Sequence, residues 1–190
     1  MGKLLIGWAE ESIVPEKKVS LAGQFFERIS EYVESEISVT AMAVEADGDQ
    51  MIMVSADVVK VEGAILQMAR DKFAKLTSEV NPDKLMVAAT HSHTSLKLLP
   101  TKEYRQQNDL TTVKILEEFL PEGKGYKALV TPDENVITPE EGAEFLTDKI
   151  ALAAKRAWDN REEALYTNEF GRAVVGMCRR VSYDDGSAQM

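Results

Sequence analysis

The chain has few of the residues that stabilise secreted proteins or span membranes. Cys178 is its only cysteine, which excludes an intrachain disulfide and predicts a reducing, cytoplasmic location. No apolar run approaches the roughly 20 residues that cross a bilayer, and Glu10 and Glu11 interrupt the apolar start, so a signal peptide is not indicated. Basic residues number 22 against 32 acidic ones, and the net charge of −10 opposes binding to nucleic acid or anionic lipid. We therefore expect neither nucleic acid nor a membrane as partner.

What the chain does contain is an ordinary globular composition, with 44% hydrophobic residues over a length of 190. This length accommodates one domain with a substantial core. No internal repeat or linker divides the sequence. We expect a single domain over residues 1–190.

The first half of the sequence alternates between strand and helix patterns. Residues 3–9 predict a short strand, and residues 37–44 and 50–55 predict two strands joined by a tight turn at Asp47-Gly48. From Val61 the apolar period becomes helical, and Asn81-Pro82 ends this helix before a strand over 84–89. Because strand, helix and strand in this order form a right-handed parallel crossover, the carboxyl ends of both strands meet at one sheet edge. Asp57, His91 and His93 are predicted neighbours there.

The second half predicts a helix over 113–120 and a longer one starting at Thr138-Pro139, an N-cap followed by proline, and running to about Asp159. A final strand is predicted over 172–183. A turn at 184–186 leaves four residues to pair back, which fits either a short frayed strand or a fragment of a longer protein. The predicted fold class is α/β, a single domain with a mixed β-sheet, at least one parallel βαβ crossover and flanking helices.

The two histidines of the chain, His91 and His93, are separated by one residue at the end of an apolar strand. On an extended backbone alternate side chains point to one face, so both imidazoles can converge on a point that holds a metal ion. The alternative is a pair of solvated loop histidines.

Four segments together resemble the amino-terminal part of the neutral/alkaline, non-lysosomal ceramidase family. They are Gly7-Trp8-Ala9 leading to Ile13-Val14-Pro15, Leu21-Ala22-Gly23-Gln24, Val54-Ser55-Ala56-Asp57 and Ala89-Thr90-His91-Ser92-His93-Thr94-Ser95. The last is similar to the Thr-His-Thr-His-Ser-Gly-Pro signature of that family. The resemblance spans most of the chain and implies a zinc-dependent amide hydrolase.

The resemblance also implies roles for three residues. His91 would bind zinc, His93 would be the catalytic residue beside the metal, and Gly23 would line the pocket of a small-molecule amide substrate. Zinc with an open coordination position lowers the pKa of water to near 7 and polarises an amide carbonyl.

The sequence departs from the family at three places. Met177 stands where relatives carry a second zinc-binding histidine, Leu96-Lys97 replaces the signature's Gly-Pro, and the remaining glutamate and tyrosine ligands of the longer enzymes lie beyond residue 190. Cys178 is either a substitute thiolate ligand or an inert buried thiol. Two functions follow as alternatives: a ceramidase-like hydrolase scaffold with an incomplete zinc site, or a non-catalytic relative that binds a metal or small molecule. A homo-oligomer is left open.

Overall fold

The protein is described here from a computed structural model that covers residues 3–23, 28–100, 133–176 and 180–189. The helix predicted over 113–120 lies outside the described residues, as do Met177 and Cys178. Within the described ranges no helix is both long and apolar enough to span a membrane.

A five-stranded mixed sheet forms the centre of the fold. Its strands are β1 (Leu4–Ser12), β3 (Ser38–Ala46), β4 (Asp49–Ala56), β5 (Leu85–Ala89) and β7 (Glu162–Glu163), in the order β5-β4-β3-β1-β7. The pairs β1/β3, β3/β4 and β1/β7 are antiparallel, and β4/β5 is parallel. The predicted α/β class with a mixed sheet and a parallel crossover is therefore confirmed.

The tight turn predicted between β3 and β4 is present. Asp47 and Gly48 have φ angles of 51° and 81°, the pair of positive values that a two-residue type I′ hairpin turn requires. The turn sets the register in which Ala46 faces Asp49 and Val39 faces Ala56. As a consequence Val39, Ala41 and Ala43 point to one side of the sheet and are fully buried.

Two helices cover that buried side. Helix α1 (Gly63–Leu76) connects β4 to β5, and a 3-10 turn (Pro82–Lys84) precedes β5. Helix α2 (Pro139–Asp159) begins with the predicted N-cap at Thr138 and lies across β1, β3 and β4. The core is the layer between the helices and the sheet. Its largest fully buried side chains include Phe73, Ile52, Leu85, Leu146 and Ile150.

Two strand predictions were inaccurate. Strand β1 continues past Ala9 to Ser12, because each of its residues has a pairing partner in β3. The last pair is Ser12 with Ser38. The final strand predicted over 172–183 is wrong over most of its length: residues 171–176 are unpaired and exposed. Among the described residues of this stretch, pairing is found for β8 (Val181–Ser182) with β9 (Ala188–Gln189), the short return strand after the turn. An apolar run forms a strand only where a neighbouring edge accepts its hydrogen bonds.

Short pairings hold the loops near the sheet edge. Strand β2 (Lys18–Val19) pairs in parallel with β6 (Val136–Ile137). Leu21 pairs with Leu96 in an isolated antiparallel bridge, and the Ala22 amide donates to the Ser95 carbonyl at 2.9 Å. The segment before residue 24 is thus attached to the segment that follows the two histidines.

Candidate functional site

The two histidines lie just beyond the carboxyl end of β5, beside the end of the parallel neighbour β4. The Thr90 amide donates to the Ala56 carbonyl at 2.9 Å, and the Ser92 amide donates to the Val58 carbonyl at 3.1 Å. The sequence predicted an extended backbone here. The structure differs, since the φ of His91 is 66°. The left-handed conformation is uncommon for residues other than glycine and is concentrated at functional sites. A turn, rather than strand alternation, brings the imidazoles together.

Each imidazole is oriented by a backbone carbonyl from a different part of the chain. Nδ1 of His91 lies 2.8 Å from the Val59 oxygen, and Nδ1 of His93 lies 3.0 Å from the Gly23 oxygen. A carbonyl oxygen only accepts hydrogen bonds, so both Nδ1 atoms are donors. In the neutral rings both Nε2 atoms therefore carry a lone pair.

The two Nε2 atoms face each other at 3.2 Å, with the ring centroids 4.8 Å apart and the ring planes at 74°. Two lone pairs at this distance repel unless a proton or a metal ion lies between or beside them. An Nδ1–H bonded to a carbonyl, with Nε2 directed at the ion, is the usual arrangement of a metal-bound histidine. Nitrogens about 2.0–2.1 Å from one tetrahedral zinc are about 3.3 Å apart. The Nε2 separation is thus compatible with one metal ion next to both imidazoles.

Gly23 contacts His93 so closely that no larger residue fits. Its φ is 81°, and a Cβ added there would lie 2.8 Å from Cγ of His93. Gly23 was predicted to line a substrate pocket, and that role remains a prediction. Gly23 provides the carbonyl that accepts a hydrogen bond from Nδ1 of His93, and it leaves room for the His93 ring.

Asp57 is near the imidazoles, as predicted, but its carboxylate is directed to other partners. Oδ1 accepts from the Thr90 hydroxyl and Oδ2 from the Ser38 amide, each at 3.0 Å. Asp57 thus fixes the residue that precedes His91. In the part of the chain that the structure describes, no group of three side chains from histidine, cysteine, aspartate and glutamate is placed to hold a metal ion. The Met177 and Cys178 predictions fall outside that part.

A cavity of about 530 Å³ reaches Thr94, the residue after His93, but neither imidazole lines it. Its apolar wall includes Val14, Val19, Leu21 and Ile37, and its rim includes Thr94. Arg28 also lines it and donates from Nη2 to the His93 carbonyl at 3.1 Å. The volume is in the range of small-molecule pockets, and Lys17, Glu31 and Glu34 make the lining more charged than is usual for them.

Sequence reasoning missed Arg28 and the cavity. The sequence over 21–30 has no clean apolar period, so nothing local indicates that Arg28 lies beside His93. The bridge between Leu21 and Leu96 brings this part of the chain to the segment after β5. Only a signal from sequence comparison or structure reveals such non-local pairing.

Comparison with known proteins identifies the fold. No protein-family model matches the chain, and no curated protein matches it. Among solved structures, the chain is similar to the crystal structure of neutral ceramidase from Pseudomonas aeruginosa, with a TM-score of 0.60 and 16% identity. A structure titled "Ceramidase complexed with C2" gives the same values. Each match covers 86% of this chain and 22% of the other, so the chain spans about a fifth of the length of these ceramidases. The fold is ceramidase-like, as the sequence resemblance predicted.

Proposed function

We propose that the chain is a metal-dependent amide hydrolase scaffold of the ceramidase type, with zinc as its metal, acting in the cytoplasm on a small-molecule amide. His91 is the proposed zinc ligand, and His93 is the proposed catalytic residue beside it. The observation that carries the proposal is the geometry of the two rings, whose Nδ1 atoms are held by carbonyls while their Nε2 atoms face each other at 3.2 Å. The ceramidase-like fold supports the reaction class.

The residues around the imidazoles have complementary tasks in this proposal. A bound zinc ion supplies Lewis-acid polarisation of the amide carbonyl and lowers the pKa of water. The carbonyls of Val59 and Gly23 hold both rings in one tautomer. Asp57 fixes Thr90 and with it the strained turn at His91.

The cavity that reaches Thr94 is the proposed substrate pocket. Its apolar wall suits the hydrocarbon part of an amide, and Thr94 and Arg28 connect its rim to the His93 backbone. Gly23 is proposed to shape the entrance by leaving space where any side chain would displace His93.

A second candidate is a non-catalytic module that binds a metal or small molecule with the same pair. The observation that favours it is the ligand count, since a catalytic zinc site has about three protein ligands and the described residues bring together two. Hydrolysis separates the candidates. Turnover of fluorogenic N-acyl amides by zinc-loaded protein supports the hydrolase, and zinc binding without turnover supports the module.

Both candidate functions require that the histidine pair binds a metal ion. Zinc titration of chelator-treated protein tests this requirement. We expect one equivalent to bind by calorimetry, and His91→Ala to abolish binding, because these are the only two histidines in the chain. If His93→Ala retains zinc but loses hydrolysis, His93 is the substrate-facing residue; if it also loses zinc, both imidazoles are ligands.

Cys178→Ala is the control variant for this titration. Unfolded or surface thiolates also bind zinc, so equal stoichiometry in wild type and Cys178→Ala shows that the histidines hold the ion. A wild-type protein that binds no zinc, or binds it equally after both histidines are replaced, contradicts the proposal.

A further inference from the structure

The side of the sheet opposite the helices is left open. Both helices pack on the face that carries Val39, Ala41 and Ile52. The alternate residues of β1, β3, β4 and β5 point the other way, since successive side chains of a strand alternate between faces. No described element packs over this second face, which we call the open face.

The open face carries an apolar row that crosses four strands. In the observed register Trp8 pairs with Met42, Met42 with Met53, and Met53 with Met86. The two ends of the row are well exposed, with Trp8 at 58% and Met86 at 55% of their maximal accessible area. On the same face Ile6, Val44 and Met51 form a second apolar row beside the first.

Charge is depleted on this face although the chain is strongly acidic. On the open side of the five strands the charged residues are Glu10, Asp49 and Glu162, and all three lie at the margin of the apolar rows. Asp49 is paired with Lys84 at 2.8 Å. A net charge of −10 is therefore distributed almost entirely elsewhere. Depletion of charge at an apolar centre with a polar rim is typical of a protein interface.

We propose that the open face packs against the same face of a second copy of this chain, forming a two-fold symmetric dimer with the two sheets inside and the helices outside. Sheets pack face to face about 10 Å apart through interdigitating side chains. A flat row with bulky residues at both ends can meet its own symmetry mate, as a two-fold interface requires.

The size of the face is sufficient for this partner. Four strands about 4.8 Å apart and about eight residues long give a patch of roughly 20 by 26 Å, or on the order of 500 Å² per copy. The dimer would bury roughly 1,000 Å² in total, the lower bound for a specific interface. Methionine suits it because its flexible thioether adapts to the opposing surface. This inference is independent of the proposed metal site.

Sedimentation equilibrium of the 190-residue chain tests the dimer. We expect a mass twice the 21.1 kDa of the chain at micromolar concentration. Met86→Glu and Trp8→Glu should each weaken association by about 100-fold or more, because a buried unpaired carboxylate is strongly unfavourable. Leu76→Glu is the matched control, since Leu76 is also an exposed apolar residue, at 47%, but lies at the end of α1 in the helical layer. It should leave the dimer intact.

Circular dichroism of each variant ensures that a change in mass reflects the interface and not misfolding. Met86 is at the edge strand and half exposed, so its replacement should preserve the fold even if that of Trp8 does not. A wild-type chain that stays monomeric with Trp8 fully quenched by acrylamide overturns the proposal and assigns the face to another partner. A dimer that Met86→Glu leaves intact, or that Leu76→Glu disrupts, also overturns it.

Discussion

Two backbone carbonyls determine how the imidazoles of His91 and His93 face each other. Without them each ring rotates freely about its Cβ bond, and the Nε2 atoms need not converge. The carbonyl of Val59 comes from the loop after β4, and that of Gly23 comes from the loop after β2. The site is therefore assembled from three separate segments, of which the sequence identifies only the one that carries the histidines.

Replacing Gly23 by alanine should damage the site more than the fold. The new Cβ would collide with the His93 ring, and the positive φ costs about 1–2 kcal/mol for a non-glycine residue. We expect amide hydrolysis by the zinc-loaded protein to fall by about 10- to 100-fold, as for loss of a group that orients a residue beside the metal. Turnover of a fluorogenic N-acyl amide measures this change.

Gly63→Ala is the matched control for that substitution. No atom lies within 4 Å of the position where its Cβ would be, and Gly63 is the first residue of α1. Hydrolysis should be unchanged and stability equal or slightly higher, since alanine is the better helix former. Equal hydrolysis rates in Gly23→Ala and wild type would show that Gly23 does not position His93.

The sequence correctly predicted that the two imidazoles lie close together, but it did not predict the backbone conformation that brings them together. Proximity of the two imidazoles follows from their spacing, but the structure achieves it through a left-handed His91 and not through an extended strand. A positive φ at a non-glycine residue has no local sequence signal. It depends on the tertiary contacts that Asp57 and Thr90 provide.

At the scale of elements, the signals that predicted α2 are all local. Thr138 accepts a hydrogen bond from the Glu141 amide at 3.1 Å, and Glu141 accepts one from the Thr138 amide at 2.7 Å, which completes a capping box. The start of this helix could therefore be identified from sequence. The strand predicted over 172–183 could not be judged in the same way, because its existence depends on a distant pairing partner.

The capping box also predicts a pH-dependent stability. The hydrogen bond from the Thr138 amide holds the pKa of Glu141 below its ordinary value of 4.5. A lowered carboxyl pKa stabilises the folded state above pH 4.5, and this contribution disappears as the pH falls through the folded pKa. Glu141→Gln should therefore be less stable than wild type at pH 7, and the difference should shrink below pH 4.5. Urea unfolding at several pH values measures it.

Glu169→Gln serves as the charge control for this experiment. Glu169 is exposed and lies outside both helices, so its replacement should leave the free energy of unfolding unchanged at pH 7. A stability difference between wild type and Glu141→Gln that stays constant from pH 7 to pH 3 would contradict the role of the ionised carboxylate.

At the scale of the whole molecule, one edge of the sheet positions the site, and one of the two sheet faces is the open face. The parallel pair β4/β5 places its two carboxyl ends side by side, which is where ligands bind in open α/β sheets. The crossover rule makes this edge predictable from the order strand, helix, strand. The cavity that reaches Thr94 was not predictable, because the bridge between Leu21 and Leu96 joins distant parts of the chain.

X-ray absorption spectroscopy of the zinc-loaded chain tests the central claim most directly, because it reports the atoms bound to the metal. The account predicts scattering from imidazole nitrogen at about 2.0–2.1 Å, lost in the His91→Ala variant. A zinc shell of oxygen and sulfur alone, unchanged when His91 and His93 are both replaced, would contradict it.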